Sequence, residues 1–235
     1  MQYDVLTVPG IGEAESTTGP IGMLKGFTDA LPARFVEKKQ FNWRNQYGPV
    51  PVWNGPAYDD NVAGAVADLV LAIKARTRPT LLVGYSGGAH VASLAAAQNP
   101  TNLVAVAFVS NPSRKRGDSP SPFYGITGER PPTNAQVFDI ANPADVICCC
   151  PPSQPLRDFY DITGHFSLAD PDAWGKALWA KAISGKLTNS VRRASLSDWW
   201  LMIAYARGYM FDGQHTKYYT PKMAGFAATV ASALP

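Results

Sequence analysis

The run Leu81-Leu82-Val83-Gly84-Tyr85-Ser86-Gly87-Gly88-Ala89-His90 constrains this chain more than any other stretch. Apolar residues lead into Gly-x-Ser-x-Gly and an alanine-rich segment follows, the pattern of a strand, a sharp turn and a helix. Such a turn forces the serine into a strained backbone conformation that bulky neighbours would not permit. Gly84 and Gly88 are expected to let strand and helix approach closely, and Gly87 to relieve the crowding further. The Ser86 hydroxyl would then stand at a helix N-terminus, where backbone N–H groups favour developing negative charge.

The 235 residues suit one large domain, or one domain with a sizeable insertion. With 46% hydrophobic and 17% charged residues, the composition suits a substantial core and argues against global disorder. The net charge of +3 is a mild bias, and no basic run is interleaved with aromatics, so nucleic acid is not an expected partner. The first loop lacks a Gly-x-Gly-x-x-Gly fingerprint, which argues against a dinucleotide site. Cys148, Cys149 and Cys150 are adjacent, poorly placed to bridge one another, and no second Cys/His cluster completes a zinc site. They read as packing residues, and neither metal nor organic cofactor is expected. Met1 leads into an apolar strand with no basic n-region, and no apolar run is long enough to span a bilayer. The expectation is a product made in the cytoplasm without a signal peptide, and a monomer.

In chain order, residues 3–8 read as a first strand, emptying into Pro9-Gly10-Ile11-Gly12-Glu13. A short helix is expected over 23–31, a strand over 34–37, and a polar, aromatic loop over 41–56. Asp59, Asp60 and Asn61 offer N-caps to a helix in which Val62, Val66, Leu69, Val70 and Ile73 repeat at helical spacing. Strands follow at 80–85, 103–110 and 136–141, with a helix over 87–99. The cations of the 111–117 loop (Arg114, Lys115, Arg116) read as solvated, with the lining of a site mouth as the alternative. Beyond Pro151-Pro152 the chain lacks an obvious strand and carries Trp174, Trp179, Trp199 and Trp200 in helical patterns. Residues 153–208 are therefore read as a helical, lid-like insertion. Residues 1–152 and 209–235 form the core, closed by a helix over 221–234. Alternating strands and helices imply an α/β fold with a central parallel sheet covered on both faces.

A serine hydroxyl needs a base, and there are three histidines. Strand, Gly-x-Ser-x-Gly turn and helix, followed by an acid and then a histidine, is the chain order of the α/β-hydrolases. His215, in the loop before the last helix, satisfies that order best; His165 is the alternative. His90, one turn beyond Ser86 on the helix, reads as structural. Asp145, just after the 136–141 strand, is the expected acid. Asp139 lies inside that strand, Asp161 is a fallback, and Asp212 stands too near His215. The N–H of Gly87 and one near Ile11 are the expected oxyanion donors, each contributing roughly 3 kcal/mol.

Several blocks resemble the lysin B proteins of mycobacteriophages: Thr7-Val8-Pro9-Gly10-Ile11-Gly12, Tyr47-Gly48-Pro49-Val50-Pro51-Val52-Trp53, Gly84-Tyr85-Ser86-Gly87-Gly88-Ala89, Asn111-Pro112-Ser113-Arg114-Lys115-Arg116-Gly117, Ala141-Asn142-Pro143-Ala144-Asp145 and His215-Thr216-Lys217-Tyr218. They occur in that order from the first strand to the last helix. The resemblance implies a cutinase-like α/β-hydrolase that cuts the ester joining mycolic acids to arabinogalactan, with Ser86, Asp145 and His215 as its triad. It also implies release at host lysis and action at the outer envelope. Gly87 stands where that family commonly has Gln, and the three cysteines lie outside its pattern. Two further readings accompany it: a general cutinase-like lipase, and a virion-associated module that keeps the fold without catalysis.

Overall fold

The computed structural model describes residues 1–47, 56–118, 121–152, 157 and 213–235. Among the described residues five parallel strands form one sheet in the order β2-β1-β3-β4-β5. They are β1 (Tyr3–Val8), β2 (Phe35–Gln40), β3 (Thr80–Tyr85), β4 (Leu103–Val109) and β5 (Gln136–Ile140). The central strands are apolar on both faces because helices cover both. Leu81 and Val83 of β3 pack with Val5, Ala105 and Ala107 against α1 (Lys25–Asp29) and the C-terminal α4 (Met223–Ala233), through Phe27, Phe226 and Val230. Leu82 points the other way. With Leu6, Val106 and Phe108 it packs against α2 (Tyr58–Lys74) and α3 (Gly87–Ala97), through Leu69, Ile73 and Val91.

Strand order reverses direction between β1 and β3. In open parallel sheets such a switch point opens a crevice at the carboxyl ends of the strands. The loops that carry Ile11 and Ser86 leave the sheet there, one after β1 and the other after β3.

Most elements fall where the sequence places them, with three differences. Strand β2 continues to Gln40, because pairing with β1 carries Glu37, Lys38 and Lys39 along an edge where polar side chains reach solvent. Helix α2 starts at Tyr58 with Ala57 at its N-cap and no side-chain capping bond. Asp59 and Asp60 instead occupy the first turn, where negative charge meets the helix dipole, and the Asn61 amide donates to the Gln46 carbonyl at 3.3 Å. Arg114 is not solvated but fully buried. Its guanidinium donates to the Phe123 carbonyl (2.5 Å) and faces the buried Asp139 carboxylate (3.6 Å), so it fastens the 111–125 loop from inside. The proposed insertion lies outside the described residues apart from Arg157, which donates to the Gly125 and Pro151 carbonyls at 2.6 and 3.0 Å. Residues 48–55 of the aromatic loop are also outside them. No helix among the described residues is long and apolar enough to cross a membrane.

The turn after β3 depends on absent side chains. A Cβ on Gly88 would lie 2.2 Å from the Val8 carbonyl oxygen and 2.4 Å from that of Pro9. One on Gly84 would lie 2.6 Å from the Ala89 Cα. Both obstacles are backbone, so neither can swing aside. Gly88→Ala should therefore cost about 3 kcal/mol or more, read as a lower denaturation midpoint at unchanged slope. Gly64→Ala, inside α2 with open space around its Cβ, should instead stabilise by about 0.5–1 kcal/mol.

Candidate active site

Ser86 sits between β3 and α3 with φ 53° and ψ −124°, the strained conformation the motif implies. It persists because its neighbours fix it. Its N–H donates to the Val109 carbonyl at the end of β4 (3.0 Å), and its carbonyl accepts the first helical bonds, from Ala89 (2.9 Å) and His90 (3.1 Å). The side chain remains half-exposed while the residues around it are buried.

The structure brings the three expected residues into one line. His215 Nε2 lies 2.8 Å from Ser86 Oγ, and His215 Nδ1 lies 2.9 Å from Asp145 Oδ2. Asp145 is buried, and its Oδ1 accepts the N–H of Ile147 at 3.1 Å. Two further side chains converge on Oδ2: the Ser110 hydroxyl at 2.5 Å and the Tyr219 hydroxyl at 2.9 Å. Ser110 follows β4 as Ser86 follows β3, again with positive φ (52°), and its Oγ is also 3.0 Å from His215 Nδ1. Burial pushes the Tyr219 phenol far above its usual range, so it stays a donor. Its oxygen accepts the Asn142 N–H at 2.9 Å.

Other groups hold the histidine loop. Tyr85, the residue before Ser86, donates its hydroxyl to the His215 carbonyl (2.9 Å) and stacks on the imidazole at 5.4 Å. The Asn142 amide donates to the Gln214 carbonyl (2.9 Å) and side-chain oxygen (2.8 Å). Ser110, Tyr219, Asn142 and Tyr85 were not singled out from the sequence. The only hint for Ser110 is its place, a polar residue at the end of an apolar strand just as Ser86 is.

The loop after β1 lies against Ser86. A Cβ on Gly10 would be 3.4 Å from the Ser86 Cβ, and one on Gly87 would be 2.8 Å from Ile11 Cγ1. A larger residue at position 87 would have to displace the Ile11 side chain. The backbone N–H groups of Ile11 and Gly87, the two expected donors, have no hydrogen-bond acceptor among the described residues.

Other sequence candidates stand elsewhere. His90 is buried, and its Nδ1 shares a hydrogen bond with the Tyr58 hydroxyl at 2.9 Å. Asp139 faces Arg114 rather than a histidine, and burial pushes its carboxyl well up. His165, Asp161 and Asp212 lie outside the described residues. Cys148, Cys149 and Cys150 are free, buried thiols. Burial pushes Cys150 up to about 12 and raises Cys148 as well, and Cys148 Sγ sits 3.4 Å from the Tyr219 hydroxyl. They pack beneath the acid loop. Among the described residues no group of three His, Cys, Asp or Glu side chains is placed to hold a metal.

No family model and no curated protein matches the chain. Solved structures do. An acetylxylan esterase is similar over 80% of this chain and 97% of its own, with TM-score 0.52 and 15% identity. The fold is that of the α/β-hydrolases. A cutinase-like protein from Cryptococcus sp. is similar over 79% of this chain and 94% of its own, with TM-score 0.46 and 16% identity.

Burial lowers His90 from 6.5 to about 4. The folded protein keeps this imidazole neutral, whereas the unfolded chain takes up a proton below about pH 6.5. Its contribution to stability is therefore complete above pH 6.5 and is lost as pH falls toward 4, by about 3 kcal/mol. Denaturant titrations across that range should show this slope in the parent protein and lose it in His90→Gln.

Proposed function

We propose that the protein is a carboxylic ester hydrolase that works through an acyl-enzyme on Ser86. The observation that carries this reading is the unbroken path from Ser86 Oγ through His215 to Asp145, with both contacts inside hydrogen-bond distance. His215 Nε2 accepts the proton as Ser86 Oγ attacks the acyl carbon. The buried Asp145 carboxylate holds Nδ1–H and stabilises the imidazolium. The oxyanion of the tetrahedral intermediate is received by the N–H groups of Gly87 and Ile11, where donors count most because the charge develops there. His215 then protonates the departing alcohol, and water repeats the sequence to release the acid. The positive end of α3 favours the same charge.

The ester we assign is that between mycolic acid and arabinogalactan in the mycobacterial envelope, hydrolysed during phage lysis after release from the host cytoplasm. The six ordered motif blocks support it. So does the bond class named in the structural neighbour, an acetylxylan esterase, since both are acyl esters carried by a polysaccharide.

Purified protein should hydrolyse p-nitrophenyl butyrate. Ser86→Ala should lower kcat/KM by at least ~10³-fold and Asp145→Asn by about 10⁴-fold, with circular dichroism unchanged. Equal rates in Ser86→Ala would refute the mechanism. Thin-layer chromatography should show free mycolic acids released from mycolyl-arabinogalactan. Turnover of triglycerides or acetylated xylan alone would refute the assigned substrate and keep the ester chemistry.

A further inference from the structure

We propose that Asn45, with Glu13, is a positioning residue for the oxyanion-binding amide: it clamps the peptide plane that carries the Ile11 N–H. The inference rests on the ester-hydrolase reading and assigns a role within that site.

A peptide unit is planar, so holding its carbonyl oxygen also aims its N–H. The Gly10–Ile11 unit carries the Gly10 oxygen on one side and the Ile11 N–H on the other. The Gly10 oxygen accepts Asn45 Nδ2–H at 2.8 Å and the Glu13 N–H at 3.2 Å. The same Asn45 nitrogen also donates to the Glu13 carbonyl at 2.7 Å. Because Asn45 Nδ2 faces two carbonyl oxygens, the amide has one sensible orientation.

The preceding unit, Pro9–Gly10, is clamped at both ends too. Its carbonyl accepts the indole N–H of buried Trp43 at 2.9 Å, and its Gly10 N–H donates to Glu13 Oε2 at 2.7 Å. Glu13 Oε1 is anchored in turn by the Met23 N–H at 2.8 Å, and a Cβ at Gly22 would lie 2.3 Å from that oxygen. On the far side the Gly12 N–H donates to the Asn45 carbonyl at 3.0 Å. Every amide from residue 10 to residue 13 is thus committed except that of Ile11, among the described residues. Ile11, which carries the uncommitted amide, packs its side chain against Gly87, whose N–H is likewise unshared, and its neighbour Gly10 lies beside the serine. Without the clamp the Gly10–Ile11 plane is free to rotate. A rotated plane would turn a carbonyl, not a donor, toward the developing negative charge.

Asn45→Asp is nearly isosteric and replaces a donor by an oxygen that repels the Gly10 and Glu13 carbonyls. Glu13→Gln keeps the side-chain volume and loses one of two acceptors. Each should lower kcat for p-nitrophenyl butyrate by about 10- to 100-fold, a part of the 10²–10³ expected for removing a donor outright, with KM within about threefold. Affinity for butylboronic acid, which forms a tetrahedral adduct on the serine, should fall by the same factor as kcat/KM. In the parent protein, butylboronic acid should shift the amide proton resonances of Ile11 and Gly87 and leave those of Gly10, Gly12 and Glu13 nearly in place. This last measurement needs no variant to fold. Variants that keep parental kcat per folded molecule, or lose kcat without losing boronate affinity, would overturn the positioning role alone. An unmoved Ile11 resonance would do the same. A parent protein without Ser86-dependent hydrolysis would overturn this role together with the esterase reading.

Discussion

A serine held with φ 53° between β3 and α3 is the constraint on which the site depends. A backbone strained in this way costs on the order of 1–3 kcal/mol, and it persists only where its surroundings leave no alternative. Here they do so by close approach. Gly88 brings the start of α3 against the carbonyls of Val8, which ends β1, and Pro9, which follows it, and Gly84 brings β3 against α3. The Ser86 N–H is tied to the end of β4. Two neighbouring strand ends and one helix therefore fix a single residue, and the core that packs those elements also lifts the hydroxyl clear of the sheet.

The same sheet edge gathers the remaining groups from distant parts of the chain. Ile11 follows β1, Ser110 follows β4, and Asp145 comes from the loop after β5. His215 belongs to a loop just ahead of α4, and side chains pin it directly to the core. Tyr85 holds its carbonyl, Asn142 holds the adjacent Gln214, and Asp145 holds its ring. Tyr219 closes the circuit by linking the histidine loop to both Asp145 and Asn142. The ring itself is bonded from the ends of three strands, by Ser86 after β3, Ser110 after β4 and Asp145 after β5, so its alignment does not rest on one contact.

Much of this was legible in the residues alone, and the reasons are physical. Strand, turn and helix around Ser86 follow from apolar period and small residues, and the sheet follows from alternating apolar runs. Asp145 and His215 follow from chain order and from their places in loops after the last strand and before the last helix. The N-cap of α2 was not legible, since a sequence with Asp59, Asp60 and Asn61 in a row offers several equivalent starts. Nor was the burial of Arg114, whose basic neighbours Lys115 and Arg116 suggest solvent while its partners come from residues 121–139. Ser110, Tyr219 and Asn45 act through contacts between residues far apart in the chain, which no local pattern encodes. The region over 153–208, read as a helical insertion, lies outside the described residues apart from Arg157.

The central claim is that Ser86 reacts with its charge directed toward two backbone amides and its proton toward His215. The most direct measurement is a crystal structure of the protein after reaction with an alkyl fluorophosphonate, whose adduct mimics the tetrahedral intermediate. The account predicts phosphorus bonded to Ser86 Oγ, with a non-bridging oxygen about 2.7–3.1 Å from the nitrogens of both Gly87 and Ile11. A phosphonate on another side chain, or one on Ser86 with that oxygen turned away from both amides, would contradict it.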